Sequence, residues 1–471
     1  MRHIISLALI AGVFALLARH EIFSWPYCYD EADYISATRM GWEANYTDRP
    51  SLPIGQFVRT GLSHGTDPST RATLSREARA ESDVTFYRHW HGPLYFYWLL
   101  SLRPQHLDER TMRALSYVFP VATTLLIYTG CVALFPVIAS APILSSALYL
   151  WSYPTVFSNE IAPHQLYVFF VIASLMLVMR SRQTGEARYW YLAVVSAAAA
   201  FCTLEIACTL VFVLLLETFH DRRRLGQSAL LFCATVLALW PAAWLRLSIL
   251  KAYLFMAYLA LIRKSPWGEV SFLETWRLRF TQSPIEWLML AAAAVLFFIA
   301  CDNATRLVLK PLALYGFLTL LVLLRVNTET PRYMLPFLPA FLLSAGVVLA
   351  STMRAWKPRW RLAATVGICA LLLANTYAQI HAHPILPSQR LPEVLTTVRA
   401  ASLDGKRLLV PRNDLPMIHS YFPSISLSGY VDQQEKSQQL KCSTFDAMLD
   451  PGYPVNLQRL SPTSDHSFSQ P

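Results

Sequence analysis

Three observations predict that this sequence folds as an all-α polytopic membrane protein, with a small extracytoplasmic α/β appendage near its C-terminal end. The first is composition. Of 471 residues, 54% are hydrophobic and only 15% are charged, where soluble domains carry about 25% charged residues. The second is patterning: the apolar residues fall in blocks of roughly 15–25, and about 20 helical residues cross a hydrocarbon layer of about 30 Å. The alternation of a membrane β-barrel is absent, so the spans are read as helices. The third is the placement of positive charge in short loops between those blocks, as the positive-inside rule describes.

Four basic loops set the orientation. Arg180, Arg182 and Arg188 mark one, and Arg222, Arg223 and Arg224 a second. Arg306 with Lys310, and Arg354 with Lys357, Arg359 and Arg361, mark two more. All four are cytoplasmic if spans lie near 4–22, 113–135, 138–157, 165–180, 189–204, 206–219, 228–247, 286–301, 311–326, 332–352 and 361–378. That makes about eleven crossings, with the N-terminal end inside. The first block has a basic start and no small-x-small cleavage site, so it reads as a retained span or signal anchor. The segment 93–102 is too short to cross and reads as a re-entrant or interfacial helix. The formal charge of +10 does not imply nucleic acid, because the arginines lie at helix ends and form no basic face.

The transmembrane unit covers 1–378 and leaves two long loops on the extracytoplasmic side. Loop 24–112 is far longer than a connector requires, and such loops tend to be functional. Loop 248–285 mixes Trp267, Phe272, Trp276 and Phe280 with basic residues, the composition of a helix lying in the headgroup layer. The third extracytoplasmic piece, 379–460, reads as helix, strand, helix, strand, with a disordered tail over 461–471. Of eight cysteines, six fall in apolar spans as small buried hydrophobes. Cys28 and Cys442 are the two that could pair.

Ionisable residues collect at the extracytoplasmic helix ends. Tyr29-Asp30-Glu31-Ala32-Asp33-Tyr34 stands where the first span leaves the membrane, and His89-Trp90-His91-Gly92-Pro93-Leu94-Tyr95 opens the short apolar segment. Arg113 begins the following span. Glu160 and His164 flank a tight turn in Asn159-Glu160-Ile161-Ala162-Pro163-His164, and Glu205 sits in the turn of another hairpin. Thr330-Pro331-Arg332-Tyr333-Met334-Leu335-Pro336 opens a late span. Taken singly, each has a bland reading: a helix cap for the acids, an aromatic belt for His91, snorkelling for the arginines. Together they place charge from six helix ends on one face, and membrane-embedded charges are functional candidates. In a helix, residues 30 and 33 share a face while 31 points elsewhere, so Asp30 is expected to face the site and Glu31 to turn toward His91 or the juxtamembrane helices.

The order of these elements resembles the C-type glycosyltransferases, in the branch of the protein mannosyltransferases and the lipid A aminoarabinose transferase. The resemblance rests on Asp30-Glu31 after a first span, then His91-Gly92-Pro93-Leu94, then Arg113. Arg332-Tyr333 with Pro336 and Pro339 completes it, over roughly residues 1–350. Three positions depart from the family pattern: His164 stands where the second element usually has Asp, Glu205 where a Lys often stands, and Gly92 where the first proline of His-Pro-Pro falls. The resemblance implies a fold of that type and transfer of a sugar from a polyprenyl phosphate to an acceptor hydroxyl on a lipid, glycan or protein. It places the site on the periplasmic face of a bacterial inner membrane.

In that reading Asp30 and Glu31 are catalytic, and Arg113, Arg332 and Lys264 meet the donor phosphate. His91, Glu160, His164, Glu205 and Tyr333 contact the substrates. Arginine forks bind phosphate oxygens in pairs, and a carboxylate at the same depth can take the acceptor's proton. No cofactor is expected. The alternative O/N set for a divalent metal would be Glu31, His91, Glu160 and His164, whose spacing carries no metal signature. The competing functions are a transporter or flippase, whose charges should lie near the midplane of repeated halves, and a non-catalytic lipid-glycan binding relative.

Overall fold

From the first helix to residue 383, every regular element among the described residues is helical, which is how a chain in hydrocarbon satisfies its backbone polar groups. The computed structural model describes residues 2–19, 26–27, 29–40, 52–64, 70, 73–74, 77, 91–157, 161–241, 251–262, 272–324, 331–383, 390–411, 414–430, 433–442, 444–451 and 454–460. In chain order the helices are α1 (Arg2–Ala18), α2 (Tyr29–Met40), α3 (Ile54–His64), α4 (Leu94–Leu102), α5 (Glu109–Leu115) and α6 (Val118–Leu134). There follow α7 (Ala141–Leu150), α8 (Tyr153–Phe157), α9 (His164–Thr184), α10 (Ala187–Phe201), α11 (Cys208–Thr218) and α12 (Arg222–Leu239). The last membrane-unit helices are α13 (Lys251–Ile262), α14 (Phe272–Gln282), α15 (Pro284–Ile299), α16 (Asn303–Leu323), α17 (Leu338–Thr352) and α18 (Pro358–Ala382).

Among the described residues, five helical segments are long and apolar enough to cross a membrane: Glu109–Leu134, α9, α16, Leu338–Ala355 and α18. The pair α14 and α15, bent by 93°, makes a sixth if counted as one span. By this measure the count falls short of the eleven expected. Several expected spans are shorter helices: α1 has 17 residues, α10 has 15 and α11 has 11. The block 138–157 is interrupted at Trp151–Ser152, because Pro154 starts a new helix, α8, in its first turn. Helix α4 has nine residues, a length of about 14 Å, and ends on Arg103 in the left-handed region with Pro104 after it. Such a piece cannot span.

The main core joins α6, α7, α9, α10, α16 and α17. Helices α7 and α17 approach so closely that a Cβ on Gly346 would lie 2.6 Å from the Ser145 backbone, and Ser145 Oγ donates to the Leu343 carbonyl at 3.2 Å. Small residues permit this contact where lipid offers no competing hydrophobic drive.

Beyond α18 the chain forms α19 (Arg390–Ala400), β1 (Arg407–Pro411), α20 (Leu415–Tyr421), β2 (Ser426–Tyr430), α21 (Gln433–Cys442), β3 (Ala447–Leu449) and β4 (Leu457–Arg459). The sheet order is β2-β1-β3-β4. Strands β1, β2 and β3 are parallel, with Leu409 opposite Ser428 and Leu408 opposite Ala447, and β4 is antiparallel to β3. The first four of these elements lie where the sequence predicts helix, strand, helix, strand. Helix α21 and the three-residue strands β3 and β4 went unread, because QQEKSQQLKC has no apolar stripe and three residues cannot display an alternation. The tail 461–471 and the pairing of Cys28 with Cys442 lie outside the described residues; the six described cysteines are free.

The appendage shares a core with the membrane unit. Val394 and Val398 of α19 and Met417 and Ile418 of α20 belong to the same apolar cluster as Ile35 of α2 and Phe96 and Leu99 of α4. On the rim of that cluster, Ser36 Oγ lies 2.7 Å from His419 Nδ1. Burial, and then the charge of Arg39, hold the His419 pKa below its usual value. A histidine whose folded pKa is lowered stabilises the docked state fully above about pH 6.5, and that contribution is lost as pH falls through the lowered value. The wild-type melting temperature should therefore drop more between pH 7.5 and pH 5 than that of His419→Asn, which cannot titrate. Parallel drops in thermal melts of the two proteins would remove His419 as the source.

Candidate active site

Helix α2 begins with Asp30 and Glu31 in its first turn, where the helix dipole favours negative charge. Successive residues point about 100° apart on a helix, so the two carboxylates diverge. Glu31 turns inward. Its Oε2 accepts from Arg113 Nη2 at 2.6 Å and its Oε1 from Arg113 Nε at 3.0 Å, and the Ile161 amide donates to Oε1 at 3.2 Å. Both partners are closed off, at 1% exposure for Arg113 and 4% for Glu31. The Arg113 guanidinium lies over the Tyr27 ring, 5.7 Å from its centroid. Fork-to-fork pairing is the geometry that keeps a desolvated pair charged.

Asp30 points the other way and pairs with Arg332. This second pair is open: the Asp30 side chain is 47% exposed and that of Arg332 11%. Arg332 belongs to a tight 3-10 turn, Pro331–Met334, and its guanidinium lies 5.3 Å from the centroid of the Tyr333 ring. The turn is fixed from below, where the Tyr315 hydroxyl donates to the Pro336 carbonyl at 2.7 Å and pairs with the Tyr167 hydroxyl at 2.6 Å.

A third polar pair completes the floor. His91 Nδ1 and Glu205 Oε2 are 2.9 Å apart, with the Tyr34 ring 5.8 Å from the imidazole. Gly92 makes this pairing feasible. The Leu94 amide donates to the Cys202 carbonyl at 3.1 Å, and a Cβ on Gly92 would fall 2.1 Å from that same oxygen. The departure from proline at this position thus brings the His91 segment against the turn that carries Glu205. His164, the first residue of α9, is 5% exposed and meets the Tyr333 ring edge-on at 5.8 Å. Its Nδ1 has no hydrogen-bond partner among the described residues. Burial raises the Tyr333 pKa against the pull of Arg332, with Asp30 and Glu205 adding to the rise, so the phenol stays protonated.

The structure therefore brings together Asp30, Glu31, His91, Arg113, His164, Glu205, Arg332 and Tyr333. Glu160 and Lys264 lie outside the described residues. Of the neighbours that sequence reasoning offered Glu31, His91 or the juxtamembrane helices, His91 is paired with Glu205, and Glu31 meets Arg113 of the short helix α5. Sequence reasoning also missed Tyr34 and Tyr27. Tyr34 is four residues after Asp30, on the same helix face, and could have been found; nothing marks Tyr27. For a divalent metal, the expected donors fit poorly, because Glu31 is closed on Arg113 and His91 Nδ1 on Glu205. No group of three His, Cys, Asp or Glu suited to a metal occurs among the described residues.

No protein-family model and no curated protein matches the chain. Solved structures do. The archaeal oligosaccharyltransferase AglB from Archaeoglobus fulgidus, in complex with an inhibitory peptide and a dolichol-phosphate, is similar over 92% of this chain with a TM-score of 0.57 and 11% identity. ArnT from Cupriavidus metallidurans, bound to undecaprenyl phosphate, is similar over 93% of this chain and 88% of its own, with a TM-score of 0.57 and 11% identity. The fold is that of these two proteins, as the resemblance to the C-type glycosyltransferases implies. The chain spans 64% of the AglB length, and its identity to both proteins is low enough that the likeness speaks to fold alone.

Replacing Gly92 by Ala should break the contact with Cys202, since both facing groups are backbone. A cost of about 1–3 kcal/mol is expected for such overpacking, read as a lowered melting temperature in detergent. An unchanged melt would show that the two segments can part without loss.

Proposed function

We propose that the chain is a membrane glycosyltransferase. It moves a sugar from a polyprenyl-phosphate donor to an acceptor hydroxyl on the extracytoplasmic side. One observation carries the reading: a pair with an open carboxylate, the half-exposed Asp30 on the largely buried Arg332, neighbours a closed one, Glu31 with Arg113. A transporter needs no such division, and charges for transport belong near the midplane.

The chemistry follows from the open pair. The donor's phosphate is an anion, so it competes with Asp30 for the Arg332 fork and frees the carboxylate as it binds. The acceptor oxygen attacks the anomeric carbon, and its proton passes to Asp30. The bond from that carbon to the phosphate oxygen breaks, and the polyprenyl phosphate leaves as an anion held by Arg332. Arg113 is proposed as the partner that fixes Glu31, a change from the phosphate contact expected of it, because its fork is spent on a buried carboxylate. Lys264 is proposed as a further phosphate contact on its place in the outer loop alone, and Glu160 as a substrate contact on its place in the 158–164 turn. His164, whose ring packs edge-on against Tyr333 and whose buried Nδ1 has no hydrogen-bond partner among the described residues, is proposed to bond a sugar hydroxyl, with His91, Glu205 and Tyr333 as further substrate contacts. No step uses a metal. The acceptor class, whether lipid, glycan or protein, and the inner-membrane setting belong to this proposal.

The test is to incubate purified protein in detergent and chelator with radiolabelled polyprenyl-phosphate pentoses and hexoses and candidate acceptors. Transfer or release of label is expected. Arg332→Ala should weaken donor binding by roughly 10- to 150-fold, the worth of one charge-assisted contact, with an unaltered melting temperature. Absence of turnover with every donor, or an Arg332→Ala protein that binds donor normally, would overturn the proposal.

A further inference from the structure

One side chain of the appendage bonds both flanks of the buried ion pair. Tyr421, the last residue of α20, accepts a hydrogen bond from the Tyr27 amide at 2.9 Å and donates one to Glu109 Oε1 at 2.5 Å. Its ring stacks on that of Tyr27, with centroids 5.9 Å apart. These partners are the two supports of the buried ion pair. Tyr27 leads into α2, the helix of Asp30 and Glu31, and its own ring carries the Arg113 guanidinium. Glu109 starts α5 and lies four residues before Arg113, hence on the same face. Both uses of the hydroxyl, one lone pair and one proton, are filled by elements 82 residues apart in sequence, the distance from Tyr27 to Glu109. Burial and the bond to Glu109 push the Tyr421 pKa up, so the proton that bonds Glu109 is retained.

We propose that Tyr421 is a positioning residue that sets the register between α2 and α5, so that the C-terminal appendage is a working part of the active site. It does not touch the reacting atoms; it acts through Tyr27 and Glu109 on the Glu31–Arg113 pair, and through α2 on the direction of Asp30. The catalytic consequence rests on the glycosyltransferase reading, but the mechanical coupling does not.

The test uses the full chain in detergent and compares wild type with Tyr421→Phe, which keeps the ring stack and removes both hydrogen bonds. Hydrogen exchange followed by mass spectrometry should speed up about 10-fold in residues 29–40 and 109–115, with the sheet and α9 unchanged. In the transfer assay kcat should fall about 10-fold while the donor KM stays within about twofold. Adding Glu109→Ala to Tyr421→Phe should cause little further loss, since the hydroxyl that Glu109 accepts from is already gone. Unchanged exchange in α2 and α5 would overturn the proposal, as would faster exchange spread evenly through the appendage, which marks simple loss of packing. If the exchange pattern appears but wild type transfers no sugar, the coupling stands and only the glycosyltransferase reading fails.

Discussion

The buried pair of Glu31 and Arg113 is the constraint on which the rest of the site depends. Two charges that are nearly inaccessible to water are tolerated only with complete, well-aligned partners, and removing one of them leaves an uncompensated charge that costs about 3–5 kcal/mol. The pair, with the Ile161 amide, therefore locks together α2, α5 and the bend that precedes α9. It fixes the roll of α2 about its axis. Once Glu31 must point inward, Asp30 has to emerge on another face, and that face is where Arg332 waits.

The result is a division between a closed pair that sets geometry and an open pair that can exchange partners. The Arg332 turn is held still by Tyr315, which bonds the Pro336 carbonyl just beyond, and the proposed contact with an incoming anion needs such a fixed turn. The His91–Glu205 pair plays a similar part on the opposite wall, with Gly92 permitting the close approach. Rigid surroundings of this kind lower the cost of orienting substrates and keep donors aimed at developing charge.

Much of this was legible in the sequence. Apolar blocks of membrane length announce the helices, and the convergence of Asp30-Glu31, His91, Arg113, His164, Glu205 and Arg332 on one side follows from reading which loops are basic. Partners were not legible. Glu31 and Arg113 are 82 residues apart, His91 and Glu205 are 114, and Asp30 and Arg332 are 302; helix periodicity says which face a residue takes but not which helix lies opposite. Helix length does not confirm the count of eleven spans, since an apolar block looks continuous in sequence even where Pro154 starts a new helix. The union of the appendage with the site was hidden for another reason: Tyr421 sits in a segment whose pattern advertises only a small α/β unit.

In the proposed reaction Asp30 alternates between holding Arg332 and accepting the acceptor's proton. Asp30→Asn keeps the shape and removes the basicity, so the measurement is single-turnover transfer alongside equilibrium donor binding for this variant and wild type. The account predicts turnover reduced at least about 100-fold, the low end for loss of a general base. Donor affinity should be equal or tighter, because Arg332 no longer has a charged competitor. Near-normal turnover, or donor affinity that falls in step with turnover, would contradict it.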